Sequence, residues 1–111
     1  MIAARKEKGV SEFWLVDRKG NARLLWQGDA LNVVGGFDIS PNGQFLVASV
    51  KRERQGWNLE RFDLASKNWS KVTDSKAIEH QPEFLADGRL LFSADYQGVF
   101  NIYRLDLNSQ R

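Results

Sequence analysis

A short motif that occurs twice constrains the fold of this chain more than any other feature. Residues 36–43 read Gly-Phe-Asp-Ile-Ser-Pro-Asn-Gly, and residues 82–88 read Pro-Glu-Phe-Leu-Ala-Asp-Gly. In each copy a short strand leads into a tight turn. Pro41 presets φ in the first turn, and Asn42-Gly43 and, without proline, Asp87-Gly88 tolerate the positive φ that a reversal needs. A short apolar run follows each copy, of a length typical of a buried strand. We interpret the motif as the marker of a structural repeat.

Three pairs of residues give one period for this repeat. Gly43 and Gly88 lie 45 residues apart, Asp17 and Asp63 lie 46 apart, and Asp63 and Asp106 lie 43 apart. A period of about 40 to 50 residues that holds four short strands is typical of a β-propeller blade. No window shows the apolar period of a helix. We therefore predict an all-β fold, a partial β-propeller of about two and a half four-stranded antiparallel blades.

The period also divides the chain. Within one partial propeller over residues 1–111, we predict an incomplete first blade at 1–28, a complete second blade at 29–73 and an incomplete third blade at 74–111. The innermost strands would be 36–40 and 81–85. The first blade then lacks its innermost strand, which favours a piece of a longer protein.

These residues resemble the TolB-like β-propeller repeats. Such a repeat has a strand, a Ser-Pro-Asp-Gly turn, an apolar strand that ends near Ser, and an aromatic-aliphatic strand that ends in Asp-Leu. The matching elements lie at 37–43, 45–49 and 61–64, and again at 83–88, 90–93 and 102–107. Two departures are Asn42 for the usual Asp, and Leu85-Ala86 for the usual Ser-Pro.

The resemblance implies a non-catalytic protein-interaction scaffold. It also implies a periplasmic or cell-envelope location, although the N-terminal residues lack the apolar core of a signal peptide. Similar repeats occur in the propeller domains of prolyl-oligopeptidase-like serine peptidases, so a substrate-gating propeller segment is the first alternative. A ligand- or glycan-binding propeller is the second.

The composition excludes several kinds of binding site and catalytic chemistry. With 16 basic and 14 acidic residues, the net charge of +2 is too small to predict nucleic-acid binding. The chain has no cysteine, which excludes a disulfide, a thiolate metal site and a Cys nucleophile. No apolar run approaches the roughly 18 residues of a membrane span. We expect no catalytic residue, metal or cofactor, and a protein as the partner.

Basic hairpins at the same place in the first two predicted blades form a candidate interaction rim. A propeller would bring them to one edge, where they could meet an acidic partner. The simpler interpretation is a pair of solvated hairpins, since strand ends often carry Lys and Arg. The rim residues are Arg5, Lys6, Lys8, Lys51, Arg52 and Arg54.

Three further residues are predicted to face the central channel of the propeller. Asp38 and Glu83 occupy matching positions on the two innermost strands, and His80 lies just before the second of these strands. A lone histidine beside one carboxylate makes neither a metal site, which needs three or four ligands, nor a catalytic triad. A structural role or a solvated channel wall is the simpler interpretation.

The tryptophans and the recurring aspartates have structural interpretations as well. Trp14, Trp26, Trp57 and Trp69 lie at strand positions, so we favour the core over a glycan-binding platform. Asp17, Asp63 and Asp106 are expected to accept hydrogen bonds from the turns that follow them. A stack of this size leaves about 600 Å² of apolar blade face uncovered. We expect further blades of a longer protein, or copies of the chain in a homo-oligomer, to cover it.

Overall fold

The computed structural model describes residues 1–7, 9–28, 33–52, 56–75 and 77–107. Within these ranges the chain forms ten strands and no helix, which confirms the predicted all-β class. The strands are β1 Ile2–Glu7, β2 Val10–Val16, β3 Ala22–Gln27, β4 Val33–Ile39, β5 Phe45–Lys51, β6 Trp57–Asp63, β7 Trp69–Lys71, β8 Glu79–Phe84, β9 Leu90–Ala94 and β10 Asn101–Leu105.

The strands form three antiparallel sheets in which spatial neighbours are also consecutive in the chain. The first sheet is β1-β2-β3, the second is β4-β5-β6-β7, and the third is β8-β9-β10. Short polar connections reverse the chain between strands, as expected for antiparallel hairpins. Residues 1–33 and 34–111 form two compact units.

The marker turns depend on their glycines. The amide of Gly43 donates to the carbonyl of Ser40 at 2.9 Å, and the amide of Gly88 donates to the carbonyl of Leu85 at 2.9 Å. The φ angles are 73° at Gly43 and 90° at Gly88. Asn42 does not share the positive φ; its Oδ1 instead accepts the amide of Gln44 at 3.0 Å. Glycine therefore supplies the left-handed residue in both copies.

The first unit has a small aromatic centre. Phe13 is buried, and its ring lies 5.4 Å from that of Trp26. Beside it, the carboxylate of Glu12 accepts hydrogen bonds from Trp14 Nε1 at 3.0 Å and from Gln27 Nε2 at 3.3 Å. These bonds satisfy a carboxylate that is largely removed from water.

In the second unit, the second and third sheets pack face to face. The second sheet contributes apolar side chains from β5 and β6 and the residue after β7, and the third sheet contributes alternate residues of β9. This alternation follows from the period of two in a strand. The buried residues of this core are Val47, Leu59, Val72, Leu90, Phe92 and Ala94.

Candidate functional site

The two marker turns border one cavity of the second unit. The cavity has a volume of about 430 Å³ and is lined by residues 40–42, 44–45, 61, 84, 86–88 and 107. We call it the marker-turn cavity. As equivalent turns of successive repeats they would lie at one edge of a propeller, but the sequence does not indicate a cavity between them.

Aromatic rings and one guanidinium form the wall of the marker-turn cavity. The rings of Phe45 and Phe84 meet edge to face at 5.7 Å. The guanidinium carbon of Arg61 lies 3.7 Å from the centroid of the Phe45 ring, within the range of a cation–π contact. The half-buried Arg61 is thus held in place by packing, with its charge at the wall of a concave surface.

A carboxylate lies on the opposite turn. Asp87 accepts hydrogen bonds from Arg89 Nε at 2.7 Å and from the Arg89 amide at 3.0 Å. The side-chain bond from Arg89, followed by its backbone bond, lowers the pKa of Asp87. The cavity therefore combines charged groups of both signs with apolar surface, a combination found in ligand-binding sites.

Two of the predicted channel-facing residues line a second cavity. Asp38 and Glu83 border a space of about 610 Å³, which also contacts Leu91, Ser93 and Ile102. Asp38 is half-buried: its Oδ2 accepts the amide of Phe84 at 2.7 Å. Glu83 is exposed.

The third of these residues, His80, does not line that cavity. Its half-buried ring lies 5.0 Å from the ring of Phe100. The strand is irregular between His80 and Glu83, and Gln81 has a φ of 57°. A bulge of this kind redirects the side chains around it. Among the residues that the structure describes, no group of three or more His, Asp or Glu is arranged to hold a metal ion.

The sequence missed a buried carboxylate at Glu79. Its side chain is inaccessible to solvent, and it accepts hydrogen bonds from Ser75 Oγ at 3.0 Å and from the hydroxyl of Tyr96. Burial and then the bond to Glu79 raise the pKa of Tyr96. Ser75 lies only four residues before Glu79, but Tyr96 lies 17 residues after it, and no local pattern indicates that the tyrosine reaches this carboxylate.

On the candidate rim, Arg52 lies inward rather than in solvent. Its Nε and Nη2 each donate to the carboxylate of Glu60 at 2.8 Å, and its guanidinium lies 5.6 Å from the centroid of the Trp69 ring. The side chain of Glu60 is only 6% exposed. The neighbouring Lys51 is exposed.

On the other predicted rim hairpin, Arg5 and Lys6 are exposed. Arg5 forms an ion pair with Glu7 two residues later. Lys8 and Arg54 lie outside the described residues, so the rim remains a prediction.

All four tryptophans are half-buried within the described ranges. The ring of Trp69 lies 4.9 Å from that of Phe62. This packing agrees with the core interpretation.

The expected turn bonds are confirmed at two of the recurring aspartates. Asp17 Oδ1 accepts the amides of Lys19 and Asn21 at 2.9 and 3.0 Å. Asp63 Oδ1 accepts the amides of Ala65 and Ser66 at 3.0 and 2.9 Å. These backbone bonds lower the pKa of both carboxyl groups.

Comparison with known proteins adds a likeness of fold. No protein-family model and no curated protein matches the chain. The crystal structure of puromycin hydrolase, which contains a β-propeller, matches 93% of this chain with a TM-score of 0.73 and 20% sequence identity. The chain spans 17% of the length of that protein. Among the described residues, no helix is long and apolar enough to cross a membrane.

Proposed function

We propose that this chain is a segment of a β-propeller, about two and a half blades, that acts as a non-catalytic protein-interaction scaffold. The observation that carries the proposal is the packing of the second sheet on the third, with Asp38 on β4 bonded to Phe84 on β8. The likeness to a propeller-containing structure supports the same arrangement. The TolB-like motifs favour a place in the cell envelope.

The marker-turn cavity is the proposed binding surface. Arg61 and the two phenylalanine rings offer a cation beside apolar area, a combination that fits an acidic or carboxyl-bearing segment of a partner protein. Because the Arg61 guanidinium rests on the Phe45 ring, the cation is preorganised, and little side-chain entropy is lost on binding.

Site-specific photo-crosslinking tests this function. A photoreactive residue replaces Ala86, which lines the cavity, in the intact protein in its own cells. We expect a defined protein adduct that disappears when Arg61→Ala is added. The control is Ser66, an exposed residue of another turn. Equal labelling from Ala86 and Ser66, or no adduct from Ala86, would contradict the proposal.

A second candidate is favoured by the likeness to puromycin hydrolase. In this case the chain is a propeller segment of a hydrolase and controls access to a catalytic domain outside residues 1–111. The intact protein should then hydrolyse puromycin or short peptides, and Arg61→Ala should change KM more than kcat. An intact protein without hydrolytic activity would eliminate this candidate.

A further inference from the structure

The first marker turn places a reactive pair of residues at the edge of the marker-turn cavity. Asn42 is followed by Gly43, and no other asparagine of the sequence precedes a glycine. Asn42 is exposed to water and lines the cavity. Because glycine has no Cβ, its backbone nitrogen is the least hindered nucleophile for the side-chain amide of the residue before it. This pair can therefore form a five-membered ring, the first step of asparagine deamidation.

The hydrogen bonds of the turn favour attack at the side-chain carbonyl of Asn42. Its Oδ1 accepts hydrogen bonds from Ser40 Oγ at 2.6 Å and from the backbone amide of Gln44 at 3.0 Å. The Ser40 oxygen in turn accepts the amide of Phe45 at 3.3 Å, which directs its proton toward Asn42. Ser40 is buried, so this donor is held in place. Both donors lie where negative charge develops when the carbonyl carbon is attacked.

The bond that closes the turn opposes the reaction. The amide of Gly43 donates to the carbonyl of Ser40 at 2.9 Å, and this bond has to open before the Gly43 nitrogen can attack. Residues 41–44 are all exposed. Local opening of such a surface turn costs much less than global unfolding. The reaction is therefore accessible to the folded protein.

The second marker turn carries the equivalent pair Asp87-Gly88 without the same reactivity. Arg89 Nε and the Arg89 amide donate to the carboxylate of Asp87, and these bonds lower its pKa. Asp87 therefore stays ionised at neutral pH, and its negative charge repels a nucleophile. The two turns differ in the group that would be attacked.

We propose that Asn42 is a deamidation site and that its conversion weakens the binding of an acidic partner at the marker-turn cavity. The Gly43 nitrogen bonds to Asn42 Cγ, the Cγ–Nδ2 bond breaks, and ammonia leaves with the proton that the Gly43 amide loses to water. Water then opens the succinimide ring. Opening at Cγ gives aspartate at position 42, and opening at the backbone carbonyl carbon gives isoaspartate.

Either product adds a negative charge to the cavity. Arg61 supplies the cation that is proposed to bind an acidic segment, and Asp87 already contributes one carboxylate. A second carboxylate offsets the Arg61 charge and repels an acidic ligand. This part of the inference rests on the function proposed above. Because ammonia is lost, the conversion is a slow, one-way change of the site.

Peptide mass spectrometry of the intact protein, incubated at neutral pH, tests the modification. We expect position 42 to be converted while the exposed Asn21 and Asn68 remain amides. Ser40→Ala should slow the conversion about 5-fold in the folded protein, the effect of one ordinary hydrogen bond, and should leave the rate in concentrated urea unchanged. Ser40→Thr keeps the hydroxyl group and should keep the rate.

Two results would overturn the modification. Conversion at Asn42 no faster than at Asn68 would show that the site is not reactive. A folded Ser40→Ala protein that reacts as fast as the unchanged protein, or faster, would show that the turn does not promote the attack.

The photo-crosslink from position 86 tests the effect on binding. Asn42→Asp carries the charge of one product, and Asn42→Ser is the neutral control that keeps an acceptor oxygen. We expect the adduct yield to fall about 3-fold in Asn42→Asp only, as for one exposed charge. Equal yields in the two variants would reject the effect on binding. No adduct from the unchanged protein would reject the proposed function and this effect together, while the mass spectra still decide the modification.

Discussion

The carboxylate of Asp38 accepts a hydrogen bond from the amide of Phe84, 46 residues further along the chain, at 2.7 Å. The bond joins the first strands of two successive sheets. Asp38, which the sequence predicts to face a channel, therefore also joins two sheets; we call this hydrogen bond the joint.

Removal of this joint should destabilise the chain. We expect Asp38→Ala to lower the free energy of unfolding by about 1–2 kcal/mol, because the Phe84 amide loses its acceptor. Asp38→Asn keeps an acceptor oxygen and should cost less. Urea unfolding of residues 1–111 measures both. The matched control is Glu83→Ala, at the exposed equivalent position, with a change within about 0.5 kcal/mol. Equal losses for Asp38→Ala and Glu83→Ala would show that the joint contributes nothing.

The marker turn should be sensitive to a single methyl group. Gly43 has a φ of 73°, where an L side chain is strained, so Gly43→Ala should cost about 1–2 kcal/mol. Gly36→Ala is the control, because Gly36 does not have a positive φ and a Cβ there meets nothing within 4 Å. Thermal unfolding of the two variants compares them. A Gly43→Ala protein as stable as Gly36→Ala would mean that the turn relaxes to another conformation.

On the candidate rim, Arg52 is paired with the buried Glu60, whereas its neighbour Lys51 is exposed, so the two residues should differ in their effect on stability. We expect Arg52→Ala to lower the free energy of unfolding by about 2–4 kcal/mol, since it leaves a buried carboxylate without its partner. Lys51→Ala, at the exposed neighbour, should change it by less than about 0.5 kcal/mol. Denaturant unfolding of the two variants measures both changes in the free energy of unfolding. If the two variants were equally stable, Arg52 would be a surface residue in solution.

Acid should weaken the turns that follow β2 and β6. Backbone hydrogen bonds lower the pKa of Asp17 and Asp63 in the folded chain. A lowered folded pKa gives stability that is present above the unfolded value of about 3.9 and is lost as pH falls through the folded pKa. We expect Asp63→Asn, measured by urea unfolding from pH 7 to pH 2, to reduce this acid dependence. Asp74→Asn, at an exposed position, serves as the control. An unchanged pH profile in Asp63→Asn would contradict the linkage.

Local sequence was sufficient for the strands and turns. The Pro41-Asn42-Gly43 turn, the recurring aspartates and the short apolar runs act over a few residues, so their spacing predicted the strands and their antiparallel order. The prediction for Asn42 was less specific, because both Asn and Gly tolerate a positive φ and only the folded turn shows that Gly43 adopts it.

The contacts of most candidate site residues could not be predicted from local sequence. In the sequence, Arg52 is indistinguishable from a surface charge. Only the pairing of β5 with β6 brings Glu60 within 2.8 Å of it. In the sequence, Glu79 is notable only as the neighbour of a histidine. The structure shows that Ser75 and Tyr96 both donate hydrogen bonds to its carboxylate. These partners are 4 to 17 residues apart, and their contacts depend on how the strands pair and the loops fold, which composition and spacing do not record.

By itself, the sequence determined the all-β class and the period of about 45 residues, because turn chemistry and alternation are local properties. Only the tertiary structure decided which faces are covered. Val47 and Ile102 are both apolar strand residues, yet one is fully buried and the other is 74% exposed. The difference lies in whether another sheet packs against them, since burial is a property of the assembled sheets and not of the residue.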